Sequence, residues 1–172
     1  MHEISIGIDP GKSGAISIFR DGVHSYIFIP TIGKEYDYRA ISTLFKYYIG
    51  QDVYVVLEGV NCDPSWGAKV NWSLGGCMSM FKQVLTDFDI PHTLTNPRVW
   101  QKEMWEGVPI QKKISSTGKT LINDAKLTSI IAAQRLFPKI DFKVTSLGNK
   151  SKNFNDNLVD ATLIAEYCRR KF

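Results

Sequence analysis

The chain opens with apolar positions at a period of two. Ile4, Ile6 and Ile8 alternate with small residues, Ile16 and Ile18 resume the alternation after DPGKSG, and VHSYIFIP from Val23 repeats it until Pro30. This predicts three strands joined as a meander. Over residues 37–49 the period changes, with Ile41, Leu44, Phe45, Tyr48 and Ile49 recurring at the spacing of a helix packed on a sheet. VYVVLE from Val53 is an almost continuous β-branched run, the composition of a strand covered on both faces. Leu74, Cys77, Met78, Phe81, Val84, Leu85 and Phe88 predict a helix from Ser73, and HTLT a short strand ended by Asn96 and Pro97. The sequence is then polar and basic up to a helix over about Asp124–Phe137, closed by Pro138, and a last helix over about Asn155–Arg170. Trp105–Asn123, with GVP, SSTG and several lysines, reads as a long mobile loop.

This order predicts an α/β fold, a mixed five-stranded sheet flanked by helices. The first strand and the one from Val53 become parallel neighbours in its middle. The 172 residues, 44% hydrophobic and 22% charged, suit one domain spanning residues 1–172. A net charge of +4 permits a polyanionic partner without demanding one. Cys62, Cys77 and Cys168 show no CxxC spacing, and His2, His24 and His92 do not join them at zinc-ligand distances in sequence. That points to a reducing compartment, the cytoplasm, without structural zinc. MHEISIG has no basic region followed by a long apolar run, and no apolar stretch is long enough to cross a membrane.

Within this frame three places carry acids that a core does not call for. Asp9 ends the first strand; Asp before Pro-Gly also makes a good turn by itself. Glu58 ends VYVVLE, where a partly buried charge is costly unless paired or bound to metal. Strands ~4.8 Å apart project both carboxylates into one place. Asp156 and Asp160 stand at i and i+4 on one face of the last helix. Like charges at that spacing weaken a helix by a few tenths of a kcal/mol. The helix dipole favours Asp156 at the start but not Asp160 one turn further in.

Five motifs in this order, GIDPGKSGAI (7–16), VVLEGV (55–60), NPRVWQK (96–102), AAQRLFP (132–138) and DNLVDATLIAEY (156–167), resemble the RuvC-type Holliday junction resolvases, in particular the phage and viral RuvC-like branch of the RNase H-like superfamily. The resemblance spans almost the whole chain. It implies an RNase H-like nuclease domain that cuts four-way DNA junctions by paired symmetric nicks, acting as a homodimer on recombination and repair intermediates. It also implies two Mg²⁺ ions, with Mn²⁺ as a substitute, held by Asp9, Glu58 and Asp160, with Asp9 bridging them. One ion then generates hydroxide for in-line attack and the other stabilises the leaving 3′ oxygen. Cellular members carry the partner acid three residues before the last one, where this chain has Asn157. The acid here is Asp156, four residues before Asp160. Carboxylate binds Mg²⁺ more strongly than amide, so Asp156 is read as the fourth ligand and Asn157 as at most a neighbour of the site.

For DNA contacts the resemblance and the charge pattern single out Lys69, Lys102, Lys112, Lys113, Lys119 and Lys126, with Trp66 either stacking on opened bases or folding its loop onto the core. Gly11 and Gly14 let a phosphodiester approach the turn. The helix from Ser73, with Gly75 and Gly76, serves as dimer element or merely covers the sheet. GKS at 11–13 is no phosphate-binding loop, because GxxxxGK[ST] requires glycine where Ile6 stands. An actin-like ATPase requires two lobes, for which 172 residues leave no room. No nucleotide cofactor and no membrane partner are expected. An RNase H or transposase-like nuclease of the same superfamily, or a non-catalytic junction-binding protein, is the alternative.

Overall fold

The computed structural model describes residues 2–59, 63–115 and 117–172. Met1, the end of VVLEGV at Val60, Cys62 and the second serine of SSTG lie outside the described residues. The elements run β1 (Ile4–Asp9), β2 (Ala15–Arg20), β3 (Val23–Phe28), β4 (Thr31–Ile32), β5 (Glu35–Tyr36), α1 (Tyr38–Lys46), β6 (Val53–Glu58), α2 (Ala68–Asp87), β7 (His92–Thr95), α3 (Pro97–Met104), β8 (Lys112–Ile114), β9 (Leu121–Asn123), α4 (Ala125–Leu136) and α5 (Asp156–Lys171). The main sheet has five strands in the order β3-β2-β1-β6-β7. β1 pairs antiparallel with β2 and parallel with β6, so the two acid-bearing strands are central neighbours, as expected.

The period-two pattern decides which face each residue serves. Ile4, Ile6 and Ile8 of β1 and Val53, Val55 and Leu57 of β6 join Ile41, Phe45, Phe81 and Leu85 in one core, under α1 and α2. Val56 joins the other core, with Trp100 and Met104 of α3, Ala132 and Ala133 of α4, and Leu158, Ala161 and Ile164 of α5. Asp9 has the parity of Gly7, and Glu58 that of Val56, so both acids face the α3, α4 and α5 side.

On that side α5 lies almost in contact with β1. A Cβ placed on Gly7 would fall 2.2 Å from the Ala165 nitrogen and 2.4 Å from the Ala161 carbonyl oxygen. Only a residue without a side chain lets the helix approach this closely. Helix and sheet are also joined by polar groups: the Ser17 hydroxyl lies 2.8 Å from His24 Nε2 and donates to Thr162 Oγ1 at 3.3 Å.

Four expectations are revised. α2 begins at Ala68 rather than Ser73, because Val70 and Trp72, 54% and 85% exposed, fall off the core-facing stripe and hide the first turn. α1 ends at Lys46, and Ile49 is exposed beyond it. The HTLT strand ends at Thr95 as expected, but an unexpected helix, α3, follows at once; Pro97 occupies its first turn, and the Asn96 side chain accepts from the Arg98 N–H. The supposed long loop contains the antiparallel ribbon β8–β9.

Gly7→Ala is expected to destabilise the fold by about 3 kcal/mol or more, since neither backbone can yield. Gly75→Ala, where a Cβ meets nothing within 4 Å, should be neutral or stabilise its helix by up to about 1 kcal/mol. Urea unfolding of both variants reads the contrast.

Candidate active site

Asp9, Glu58 and Asp160 come to one place from three elements. Ile8 pairs with Leu57 across β1 and β6, so Asp9 and Glu58 follow side by side at the carboxyl ends of adjacent parallel strands. Asp160 arrives from α5, one residue before the Ala161 that packs on Gly7. The turn after Asp9 is held by glycines for two different reasons. Gly11 takes φ +140 with open space at its Cβ position, whereas a Cβ on Gly14 would sit 2.1 Å from the Asp9 carbonyl oxygen. Close packing inside the turn therefore requires Gly14, and Gly11 alone faces open space.

The electrostatics of the cluster are unfavourable for unbalanced anions. Burial holds the Asp9 carboxyl well above its usual range, and Glu58, Asp160 and Asp156 push it further in the same direction. Burial also raises Glu58, opposed by the indole N–H of Trp100, which donates to Glu58 Oε1 at 2.9 Å. Burial pushes Asp160 up to about 7, with the Ser129 hydroxyl pulling it back and the charges of Glu58 and Asp156 adding to the rise. Asp160 Oδ1 is buried and has no hydrogen-bond partner. A shielded carboxylate oxygen without a donor is costly, and hard oxygen donors crowded together suit a hard divalent cation, which turns their repulsion into attraction. Among the described residues no three His, Cys, Asp or Glu side chains already close into a finished metal cage.

Asp156 and Asn157 sit differently. Asp156 Oδ2 forms an ion pair with Lys126 Nζ on α4. Asn157 Nδ2 donates to the Ser13 carbonyl at 2.8 Å and so ties the start of α5 to the β1–β2 turn. Asn155 caps the helix, its side chain accepting from the Leu158 N–H at 3.0 Å.

The other predicted residues surround the acids more loosely. Trp66 and Lys69 line a groove of about 540 Å³ together with Gly11, Lys12, Tyr36 and Leu74, beside the turn that follows Asp9. Lys102 is exposed on α3. Lys112 and Lys113 stand on β8, where they donate to Asn123 at 2.6 Å and Asp124 at 3.3 Å, and Lys119 is exposed in the link to β9. Trp100 and Ser129 touch the acids and were not singled out from the sequence. Trp100 stands one turn into the helix that starts at Asn96 and Pro97, directly after the strand paired with β6, and no local pattern in the sequence links it to Glu58.

No protein-family model matches this chain, and neither does any curated protein sequence. Solved structures do share its fold. T. thermophilus RuvC in complex with a Holliday junction substrate is 13% identical, with a TM-score of 0.49 over 98% of this chain and 96% of that one. Thermus thermophilus RuvC is 13% identical, with a TM-score of 0.50 over 97% of this chain and 96% of that one. The second likeness establishes the class of fold: a RuvC-like arrangement of the RNase H-like type.

Asp160 makes stability depend on pH in a defined direction. Its carboxyl takes up a proton near 7 in the folded protein and near its ordinary 3.8 when unfolded, so it contributes stability that is present below about 3.8 and is lost as pH rises through 7. His24 runs the other way between 6.5 and about 4, because burial lowers its folded value. The comparison with Asp160→Asn isolates the acid. In EDTA the variant's advantage in melting temperature should grow from pH 4 to 7, level off above pH 8 at several degrees, and disappear when Mg²⁺ is added to the native protein.

Proposed function

We propose that this chain is a single-domain, Mg²⁺-dependent, structure-specific endodeoxyribonuclease that resolves four-way DNA junctions by paired symmetric nicks, of the phage or viral RuvC-like branch and acting in the cytoplasm of the cell or host. The observation that supports it most is the meeting of Asp9, Glu58 and Asp160 at the ends of two central strands and on the facing helix, with Asp160 Oδ1 shielded and unpartnered. In this reading Asp9, Glu58, Asp156 and Asp160 hold two Mg²⁺ ions, for which Mn²⁺ substitutes. The ions supply charge neutralisation at the scissile phosphate and acidify water for in-line attack.

The chain's own residues prepare that chemistry. β1 delivers Asp9 on a rigid backbone bonded on both sides. Trp100 fixes the orientation of Glu58 through its N–H. Lys126 offsets the charge of Asp156 in the metal-free protein. Asn157, through Ser13, keeps the turn after Asp9 in register with α5. The five ordered motifs and the RuvC-like fold favour a four-way junction over an RNA–DNA hybrid as substrate. Lys69, Lys102, Lys112, Lys113 and Lys119 bind backbone phosphates in this reading, and Trp66 stacks on a base at the groove beside the turn. A homodimer provides two sites for two symmetric strands. The exposed Val70 and Trp72 of α2, with open space at Gly75 and Gly76, support that helix as its contact.

Synthetic four-way, three-way, duplex and RNA–DNA hybrid substrates in Mg²⁺ test the reading. Symmetric, ligatable nicks in the four-way junction are the expected result; cutting of the hybrid alone would move the assignment to an RNase H. Asp9→Asn should abolish cleavage and leave metal-free junction binding intact or tighter, because a negative charge leaves the side of the phosphate.

Across a Mg²⁺ titration Asp156→Asn should lose most activity. Asn157→Ala should stay within about tenfold, roughly 1.4 kcal/mol of transition-state stabilisation. The reverse ranking would make Asn157 the ligand.

A further inference from the structure

The β8–β9 ribbon stands apart from the two cores. It is a pair of three-residue strands, Lys112 opposite Asn123, Lys113 opposite Ile122 and Ile114 opposite Leu121. Two strands alone are marginal in water. This ribbon is held at its base, where the Asp124 N–H donates to the Gln111 carbonyl at 2.8 Å and the Gln111 N–H to Thr128 Oγ1 at 3.0 Å. Its far end closes with the Ser115 N–H on the Thr120 carbonyl at 2.8 Å.

Away from the base the ribbon displays aliphatic surface to solvent. Ile114 and Leu121 are 68% and 72% exposed, and as directly opposed residues they share one face. Ile122, 42% exposed, lies on the opposite face with Lys113. Residues 112–123 carry Lys112, Lys113 and Lys119 and no acid. Grouped, exposed aliphatic side chains mark a contact, and the three lysines, of which only Lys113 is paired with a carboxylate, that of Asp124 at the ribbon's base, leave it net positive. A second copy of this ribbon would be repelled by the same lysines. A lipid surface requires one apolar and one polar face, whereas here both faces carry aliphatic groups.

A thin blade, apolar on both sides and flanked by cations, matches a gap between stacked bases lined by phosphates. Proteins insert aliphatic wedges between base steps at a cost of a few kcal/mol for unstacking. At the branch point of a junction the stack is already interrupted, so that cost is lower. We infer that β8–β9 is a wedge that enters the branch point of a DNA junction, Ile114 and Leu121 covering an opened base step while Lys112, Lys113 and Lys119 hold the adjoining phosphates. This rests on the junction reading above and adds the element that opens the branch point, separate from the acids and from Trp66.

The test uses the full chain in EDTA, a four-way junction with 2-aminopurine at the branch point, and the matching duplex. Native protein should bind the junction in preference to the duplex and raise the 2-aminopurine signal as the base unstacks. Ile114→Ser with Leu121→Ser should cut that rise at saturation by about fivefold or more and leave the salt slope of binding unchanged. Ile114→Leu with Leu121→Ile should restore the rise. Lys112→Ala with Lys113→Ala should do the reverse, lowering the salt slope by about two and keeping the signal at saturation.

An undiminished rise in the serine variant, at unchanged melting temperature, would overturn the wedge while leaving the junction reading standing. So would a fall in sedimenting mass for that variant, which would make the pair a contact between copies. Equal affinity of native protein for junction and duplex would overturn the junction reading itself.

Discussion

The approach of α5 to β1 at Gly7 is the contact on which the arrangement of this molecule depends. Backbone meets backbone there, with the Ala161 carbonyl and the Ala165 nitrogen occupying the space of any side chain at position 7. Such a contact has no slack. It sets the distance between helix and sheet, and because Ala161 follows Asp160 directly, it also sets where the Asp160 carboxylate stands relative to Asp9. The site's precision is therefore a packing property: the helix that covers the sheet is the helix that delivers the acid. Its small residues are what let both happen together.

Bringing these carboxylates together works against the fold in the absence of a cation. Asp9, Glu58 and Asp160 are all driven toward their protonated forms by burial, and Asp9 also feels the charge of the other three acids. The surroundings temper this without removing it. Trp100 donates to Glu58, the Ser129 hydroxyl favours the charged form of Asp160, and Lys126 pairs with Asp156. One oxygen, Asp160 Oδ1, is left with nothing. Residual strain of this kind would be relieved by a bound divalent cation, which is the reading proposed above for these acids.

Much of this was visible in the chain. The isoleucine alternation of β1 and the β-branched run of β6 identify the central strands, and two acids ending such strands announce a site. The i, i+4 pair on the last helix adds the facing carboxylates. What escaped notice did so for physical reasons. Val70 and Trp72 are exposed, so the first turns of α2 carry no periodic signal. Asn96 and Pro97 both end a strand and start a helix, and the second role shows only once the Asn96 side chain is seen to cap the Arg98 N–H. The β8–β9 ribbon is polar, short and solvated, with its aliphatic residues turned outward, and periodicity directed at a core does not register it.

Sequence by itself determined the order of the five main-sheet strands and of α1, α2, α4 and α5, the face on which each central residue lies, and which acids end the central strands, because periods of two and 3.6 are properties of the local backbone. Tertiary structure alone decided which groups the acids meet. Nothing local links Trp100 to Glu58 across 42 residues, or Asn157 to Ser13 across 144. The choice of Lys126 as the partner of Asp156 likewise waits on the packing of α4 against α5. Those partners, with the burial that raises each carboxyl, come from long-range packing, and the steric limit at Gly7 holds that packing in one register.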